Sequence, residues 1–308
     1  MNRSLRPAAV LCLIALIPVS LPAWNGTGHR AISFLAYSHL SPRAKQRVEA
    51  ILKAHPDYAE ILSRGAETDP VDIARNAFVT ASTWPDMIRN DPRFFDKVPD
   101  GAKPLPGFPD MGRHKSWHYI NTPWPSAFRS EPVDPVNAVA EYRTLLSNLR
   151  RDGPVTPQDA YALSWIVHLI GDLHQPLHAV ARFRKINGKT GQDLGGNLCY
   201  LAGDRNLHAL WDSILGINTD DGPVARLAAS LADHQPRPKK PDLKPDTWIR
   251  ENVELAGSVT YNFTESCDDR ENPARLPASY RSNARRAAMQ QAAMAAYRLA
   301  ALLNEKFD

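Results

Sequence analysis

Cysteine is scarce, with three residues in a chain of 308. A disulfide scaffold is thereby excluded, and a hydrophobic core must carry the fold. One-sided charge is missing too: 37 Lys and Arg stand against 33 Asp and Glu, a formal charge of +4, and so small an excess argues neither for nor against a polyanionic partner. Beyond the first two dozen residues no apolar run approaches the roughly 20 residues a membrane-spanning helix needs, which excludes an internal span. Internal repeats are absent, as is any low-complexity linker long enough to separate a pair of domains, which leaves one domain as the economical reading.

What is present begins with MNRSLRPAAVLCLIALIPVSLPA. Arg3 and Arg6, an apolar run from Ala8 to about Ile17, and small and proline residues up to Ala23 form the pattern of an export signal at 1–23. Leu21 departs from the small residue that a cleavage site prefers. Cleavage after Ala23 leaves Trp24 as the first residue of an exported domain, 24–308, periplasmic or secreted. Cys12 and two arginines leave with the signal. Cys199 and Cys267 then either pair in an oxidising compartment or stay free; the sequence leaves both open.

Most of the remainder has helical periodicity. His29 to Leu40 opens the series. Ser41 and Pro42 read as N-cap and first residue of a helix ending near Ala54, and Thr156 and Pro157 repeat that signature ahead of QDAYALSWIVHLIGDL. Val136 to Arg150, Asn206 to Leu215, Thr247 to Tyr261 and Ser282 to Asn304 add further helices. Segments 90 to 113 and 234 to 246, rich in Pro, Asp and Lys, read as loops. GGNLCYL, Gly195 to Leu201, is the candidate strand or hairpin. The expected class is all-α: one multi-helix domain with long loops and at most a short hairpin.

Within WIVHLIGDLHQPLH, His168 and Asp172 are costly occupants of an apolar helix face unless each has a partner. Four residues apart, their Cβ atoms lie roughly 5–6 Å from each other on one face, close enough to share a metal ion. Alone, the pair is equally an ordinary core hydrogen bond. NLHALWDSIL repeats the spacing with His208 and Asp212, and His178 follows the helix-ending Pro176. Two such pairs plus His178 supply five zinc-type ligands, and chance becomes the poorer account. WNGTGH adds His29 one turn inside a Trp24 whose free α-amine, once exposed, is a metal donor at neutral pH. Asp86 in ASTWPDMIR and His118 in KSWHYINTPW sit beside tryptophans, where packing and ligation are both open readings.

WNGTGH, TWPDMIR, WHYIN, HLIGDLHQPLH, GGN and NLHALWD, in this order from Trp24 to Asp212, resemble the trinuclear-zinc, single-strand-specific nucleases, a family related in fold to zinc-dependent phospholipase C. The resemblance implies three zinc ions. The first is held by Asp86, His118, His168 and Asp172, the second by His178, His208 and Asp212, and the third by Trp24 through amine and carbonyl, His29 and a bridging Asp172. It also implies that Asp86 orients the attacking water, that Arg89 stabilises charge on the phosphoryl group, and that Tyr119 stacks on an unpaired base. Asn121 stands where many relatives have Asp, which leaves base preference open. His174 matches no ligand position and reads as packing, like His39, His55, His114 and His234.

The implied activity is hydrolysis of single-stranded DNA and RNA to 5′-phosphate and 3′-hydroxyl products, with release of phosphate from 3′-nucleotides, by a monomer without a membrane anchor. A phospholipase C on the same scaffold is the alternative, and a non-catalytic zinc protein is the reading from a different class. The loop ARFRKINGKTGQD, with four basic side chains before Thr190, either tracks phosphates or is a solvated loop. Asn25, where relatives commonly have Gly, forms a glycosylation pattern with Thr27, as Asn262 does with Thr264. A glycan there would crowd a metal-binding N-terminus, in keeping with an unglycosylated bacterial enzyme.

Overall fold

The computed structural model describes residues 24–65 and 69–308; the expected signal segment lies outside the described residues. The fold is all-α with one small sheet. Its helices are α1 Gly26–Ser38, α2 Pro42–Lys53, α3 Pro70–Ala81, α4 Trp84–Met87, α5 Ala138–Asn148, α6 Pro157–Asp172, α7 Pro176–Ala179, α8 Leu207–Ser213, α9 Asp221–His234, α10 Pro245–Leu255 and α11 Tyr280–Phe307.

The caps follow from the sequence. Ser41 accepts from the Ala44 amide, and Thr156 forms a reciprocal capping box with Asp159; a cap of this kind contributes about 1 kcal/mol. Asn25 caps α1 by accepting from the Thr27 and Gly28 amides, while its own amide donates to the Gly216 carbonyl at 2.5 Å. That side chain is committed to structure at both ends, which accounts for an Asn at this position without a glycan.

α6 lies at the centre, against α1, α2, α3, α4, α5 and α11. Every residue from Asp159 to Asp172 is buried, so His168 and Asp172 are inside the protein and not on a face. α11, with alanines packed on several sides, closes the core against α1 and α9.

Two expectations change. GGNLCYL is not a hairpin: Gly195 and Gly196 take φ of +60 and +78, a turn, and only Leu201 bridges, to Ala274. The hairpin lies earlier, in β2 Val180–Ile186 and β3 Lys189–Gln192, with β1 Thr122–Trp124 parallel to β2. Asn187 and Gly188, both left-handed, form its tight turn. The basic segment read as a loop is therefore a strand pair, and its arginines are engaged: Arg182 and Arg184 both pair with Asp268. Helices α3 and α9 join those expected. Cys199 and Cys267 form a disulfide across 68 residues, a closure that stabilises by roughly 4 kcal/mol on loop entropy.

Candidate metal centre

Five elements deliver side chains to one end of α6. α1 brings His29, α4 brings Asp86, a 3-10 turn at Lys115–His118 brings His118, and α6 itself supplies His168 and Asp172. α7 and α8 add His178, His208 and Asp212 beside them. All eight are buried or nearly so, and their donor atoms fall into three groups, each within 4.8 Å: His29, His168 and Asp172; Asp86, His118 and His168; His178, His208 and Asp212.

Asp172 joins the first two groups. Its Oδ1 lies 3.1 Å from His29 Nε2, and its Oδ2 lies 3.1 Å from His168 Nε2 and 3.2 Å from His118 Nδ1. Asp86 Oδ1 approaches the same pair at 3.8 and 4.0 Å and Arg89 Nη1 at 3.5 Å. Yet neither oxygen of Asp86 or Asp172 has an aligned hydrogen bond, an expensive state for buried carboxylates.

Proton placement in the third group is decided by carbonyls. A carbonyl only accepts, so His178 Nδ1 donates to the His118 carbonyl at 2.7 Å and His208 Nδ1 to the Gly195 carbonyl at 2.6 Å. Both Nε2 atoms then present lone pairs, and they face each other at 3.0 Å with Asp212 Oδ2 3.4 Å from one of them. His168 is fixed the same way by the Ser82 carbonyl at 2.7 Å, and its Nε2 lies 2.9 Å from His118 Nδ1. The His178 and His208 lone pairs, converging at 3.0 Å, repel unless a cation lies between them. Imidazole and carboxylate donors are the set that zinc and related transition ions take, so the residues fit a metal on an observation of this structure.

The electrostatics of the groups differ. Burial alone would push the Asp172 carboxyl up, but His168, His118 and His29 outweigh it and hold it well below the usual range. Burial likewise opposes charge on His168, and Asp172 with Asp86 overcomes it, raising the imidazole to about 9. In the third group burial prevails. It depresses His208 to about 4 and His178 well below the ordinary value, and pushes Asp212 well above it.

Trp24 is fully buried at the head of α1, where the Asn25 amide donates to the Asp212 carbonyl at 3.0 Å. This places it one turn before His29. A cavity of about 240 Å³ opens on the groups, with Arg89, Tyr119 and Asn121 in its wall beside His118, His178 and His208. The eight His and Asp residues singled out in the sequence thus lie together, with Arg89, Tyr119 and Asn121 in the cavity wall beside them.

Several neighbours were missed. Gln175 donates to Asp212 Oδ1 at 2.7 Å and so orients the carboxylate; its place inside HLIGDLHQPLH was the available signal. At Gly195 a Cβ would lie 2.2 Å from the Leu177 carbonyl oxygen, and at Gly171 one would lie 2.6 Å from His29 Nδ1, so both positions exclude side chains to let ligands approach. Lys115, Leu194 and Asn197 also line the cavity. Leu194, 47% exposed with φ of +55, is held in that conformation by Asn197 Nδ2 donating to its carbonyl. His174 is packing, as expected: Nδ1 donates to the Ile170 carbonyl and Nε2 accepts from Arg298.

The description S1/P1 Nuclease matches residues 24–308 without interruption. The chain belongs to the S1/P1 nuclease family. It is similar to nuclease S1 of Aspergillus oryzae, 27% identical over 262 residues that cover 80% of this chain and 73% of the relative. As an S1/P1 nuclease it is a hydrolase of phosphodiester bonds in nucleic acid, with three His and Asp groups able to hold metal. No helix among the described residues is long and apolar enough to cross a membrane.

Proposed function

We propose that this protein is an exported, monomeric, zinc-dependent endonuclease that cuts single-stranded DNA and RNA, leaves 5′-phosphate and 3′-hydroxyl ends, and releases phosphate from 3′-nucleotides. The observation that carries the reading is the pair of imidazole lone pairs of His178 and His208 facing each other, with the unbonded carboxylates of Asp86 and Asp172 nearby, open to a cavity that contains an arginine and a tyrosine. On this reading Asp86, His118, His168 and Asp172 hold one ion, His178, His208 and Asp212 a second, and Trp24, His29 and Asp172 a third. Bound there, zinc supplies Lewis acidity and lowers the pKa of water toward neutrality.

The chain's own groups do the rest. Asp86, facing Arg89 and His118, orients the attacking water. Arg89, permanently charged and forked, takes up negative charge on the phosphoryl oxygens. Tyr119, 37% exposed in the cavity wall, offers a face to any base, and stacking demands a base free of its own duplex neighbours. Asn121, in the same wall, both donates and accepts toward a base edge.

Trp24 can serve as an amine ligand only when it begins the chain, so the reading ties activity to removal of 1–23 during export. The runner-up, phospholipase C, shares the metal chemistry but has no use for a base platform. The deciding experiment places the zinc-loaded chain starting at Trp24 on an end-labelled single-stranded oligonucleotide, with and without chelator, and on phosphatidylcholine. Chelator-sensitive cuts that leave 5′-phosphates support the nuclease; lipid head-group release without cutting supports the alternative.

A further inference from the structure

A second cavity, of about 450 Å³, adjoins the first and shares two of its side chains, Lys115 and Tyr119. Its remaining wall includes Val98, 37% exposed, and Val136, 44% exposed, with Trp117 and His114 stacked on each other at 3.7 Å. Three apolar or aromatic side chains open to water around one hollow are more than scattered surface apolarity supplies.

Tyr119 lines both cavities, and its backbone is fixed: it is extended at φ −148, ψ 163, and its carbonyl accepts from the Ala138 amide at 2.9 Å. The side chain therefore borders both cavities from one fixed point of the chain. Lys115, also common to both, holds its ammonium 2.7 Å from Asp96 in an exposed ion pair. Such pairs are weak, so the ammonium is available to an incoming anion.

We propose that the second cavity is a subsite for the nucleotide next to the one at the metal groups, on the side away from the phosphate being cut. This rests on the single-strand nuclease reading. The base lies against Val98, Val136 and the far face of Tyr119, and the phosphate linking the two nucleotides meets Lys115. A chain threaded in this way has two successive bases separated by the tyrosine ring. Only a strand free of base stacking can adopt that arrangement, so the subsite adds length-dependent affinity and sharpens the preference for single strands. The cation at the junction favours a phosphate there over a lipid tail, which would bring apolar chain to both cavities and no charge between them.

The test uses the zinc-loaded chain starting at Trp24 with the dinucleotide dTpdT and with oligothymidylates of three to five residues, cleaved by wild type, Val98→Glu and Val136→Glu. Both valines are exposed and outside the catalytic groups, so folding and dinucleotide cleavage are expected unchanged. Wild type is expected to show a KM that drops about tenfold on passing from two to three residues, the size expected of one stacked base. Both variants lose that drop. A length step that persists in both variants, or that is absent from wild type, overturns the subsite.

If the zinc-loaded protein cuts no oligonucleotide, the nuclease reading fails separately. Cross-linking of a 4-thiothymidine trinucleotide to the metal-free chain then decides: adducts on the peptides that carry Val98 or Val136 uphold the subsite, and their absence overturns it. A length effect seen only with longer acyl chains on lipid substrates would assign the cavity to a lipid instead.

Discussion

The groups joined by Asp172 and the group built on Asp212 use the same two side-chain types, yet their electrostatics differ at one imidazole. Around Asp172, burial lowers His29 and His118, but Asp172 and Asp86 together outweigh burial at His168 and draw it up to about 9. Around Asp212 one carboxylate faces two imidazoles whose outer protons are pinned by carbonyls, and burial drives His208 down to about 4. At His168, where two carboxylates reach a buried imidazole, charge survives burial; at the other imidazoles burial prevails. The first pair of groups should hold metal more tightly, and the third should release it first.

The most disruptive way to break this contrast is Asp172→Asn. With the shared carboxylate gone, both joined groups lose ions while the Asp212 group keeps its own; mass spectrometry under native conditions is expected to count two ions fewer. Activity should fall by more than the roughly 10- to 100-fold of an outer-shell change. Loss of a single ion would mean that Asp172 does not bridge.

A chain that retains extra residues before Trp24 tests the joined groups from the other side. It should lack one ion and lose on the order of a hundredfold in activity, with the Asp212 group unaffected. Full activity in that chain would remove Trp24 from the ligand set.

Arg89→Ala probes charge stabilisation without touching metal. A kcat lower by roughly 100-fold at unchanged zinc content is expected, and an unchanged kcat would sink the role. Gln175→Ala removes the donor that orients Asp212 and should weaken zinc only at the third group, about 10- to 100-fold, read by competition with a coloured chelator.

The gentlest test is pH. His168 is protonated below about 9, so an ion entering beside it must displace that proton, and affinity at the joined groups should rise about tenfold per pH unit between 6 and 9. His208 and His178 are already unprotonated there, so at the third group only the Asp212 carboxyl, pushed up by burial, has a proton to give up, and affinity should climb less over the same range. Parallel slopes at the two sites would erase the distinction.

The candidate ligands were legible because helical spacing is a local property: His168 with Asp172 and His208 with Asp212 are four apart, and the signature cap at Thr156 announces the helix of the first pair. What escaped depends on distant partners. The basic strand 180–186 looks free until Asp268 is brought to it. Gln175 looks like a turn residue until Asp212 arrives 37 positions later. The turn Asn187–Gly188 was a readable hairpin signal, and the wrong glycine pair, Gly195 and Gly196, drew attention instead because it adjoins apolar residues. Tyr119 was visible as an aromatic after a histidine, whereas the cavity on its other side needs Val98 and Val136, which have no pattern in sequence.

Every motif ends by Asp212, but the supports of the centre come from beyond it. Tyr280 receives a hydrogen bond from the Trp211 indole, next to Asp212, at 3.0 Å. Asn252 donates to the Leu173 carbonyl, Arg298 caps His174, and Cys267 anchors the turn that carries Gly195. The half that carries the motifs is consequently no portable module: a fragment ending soon after Asp212 would hold all the recognisable signatures but lose the bracing supplied by Asn252, Cys267, Tyr280 and Arg298, and recombination could not transplant it into another protein as a working unit.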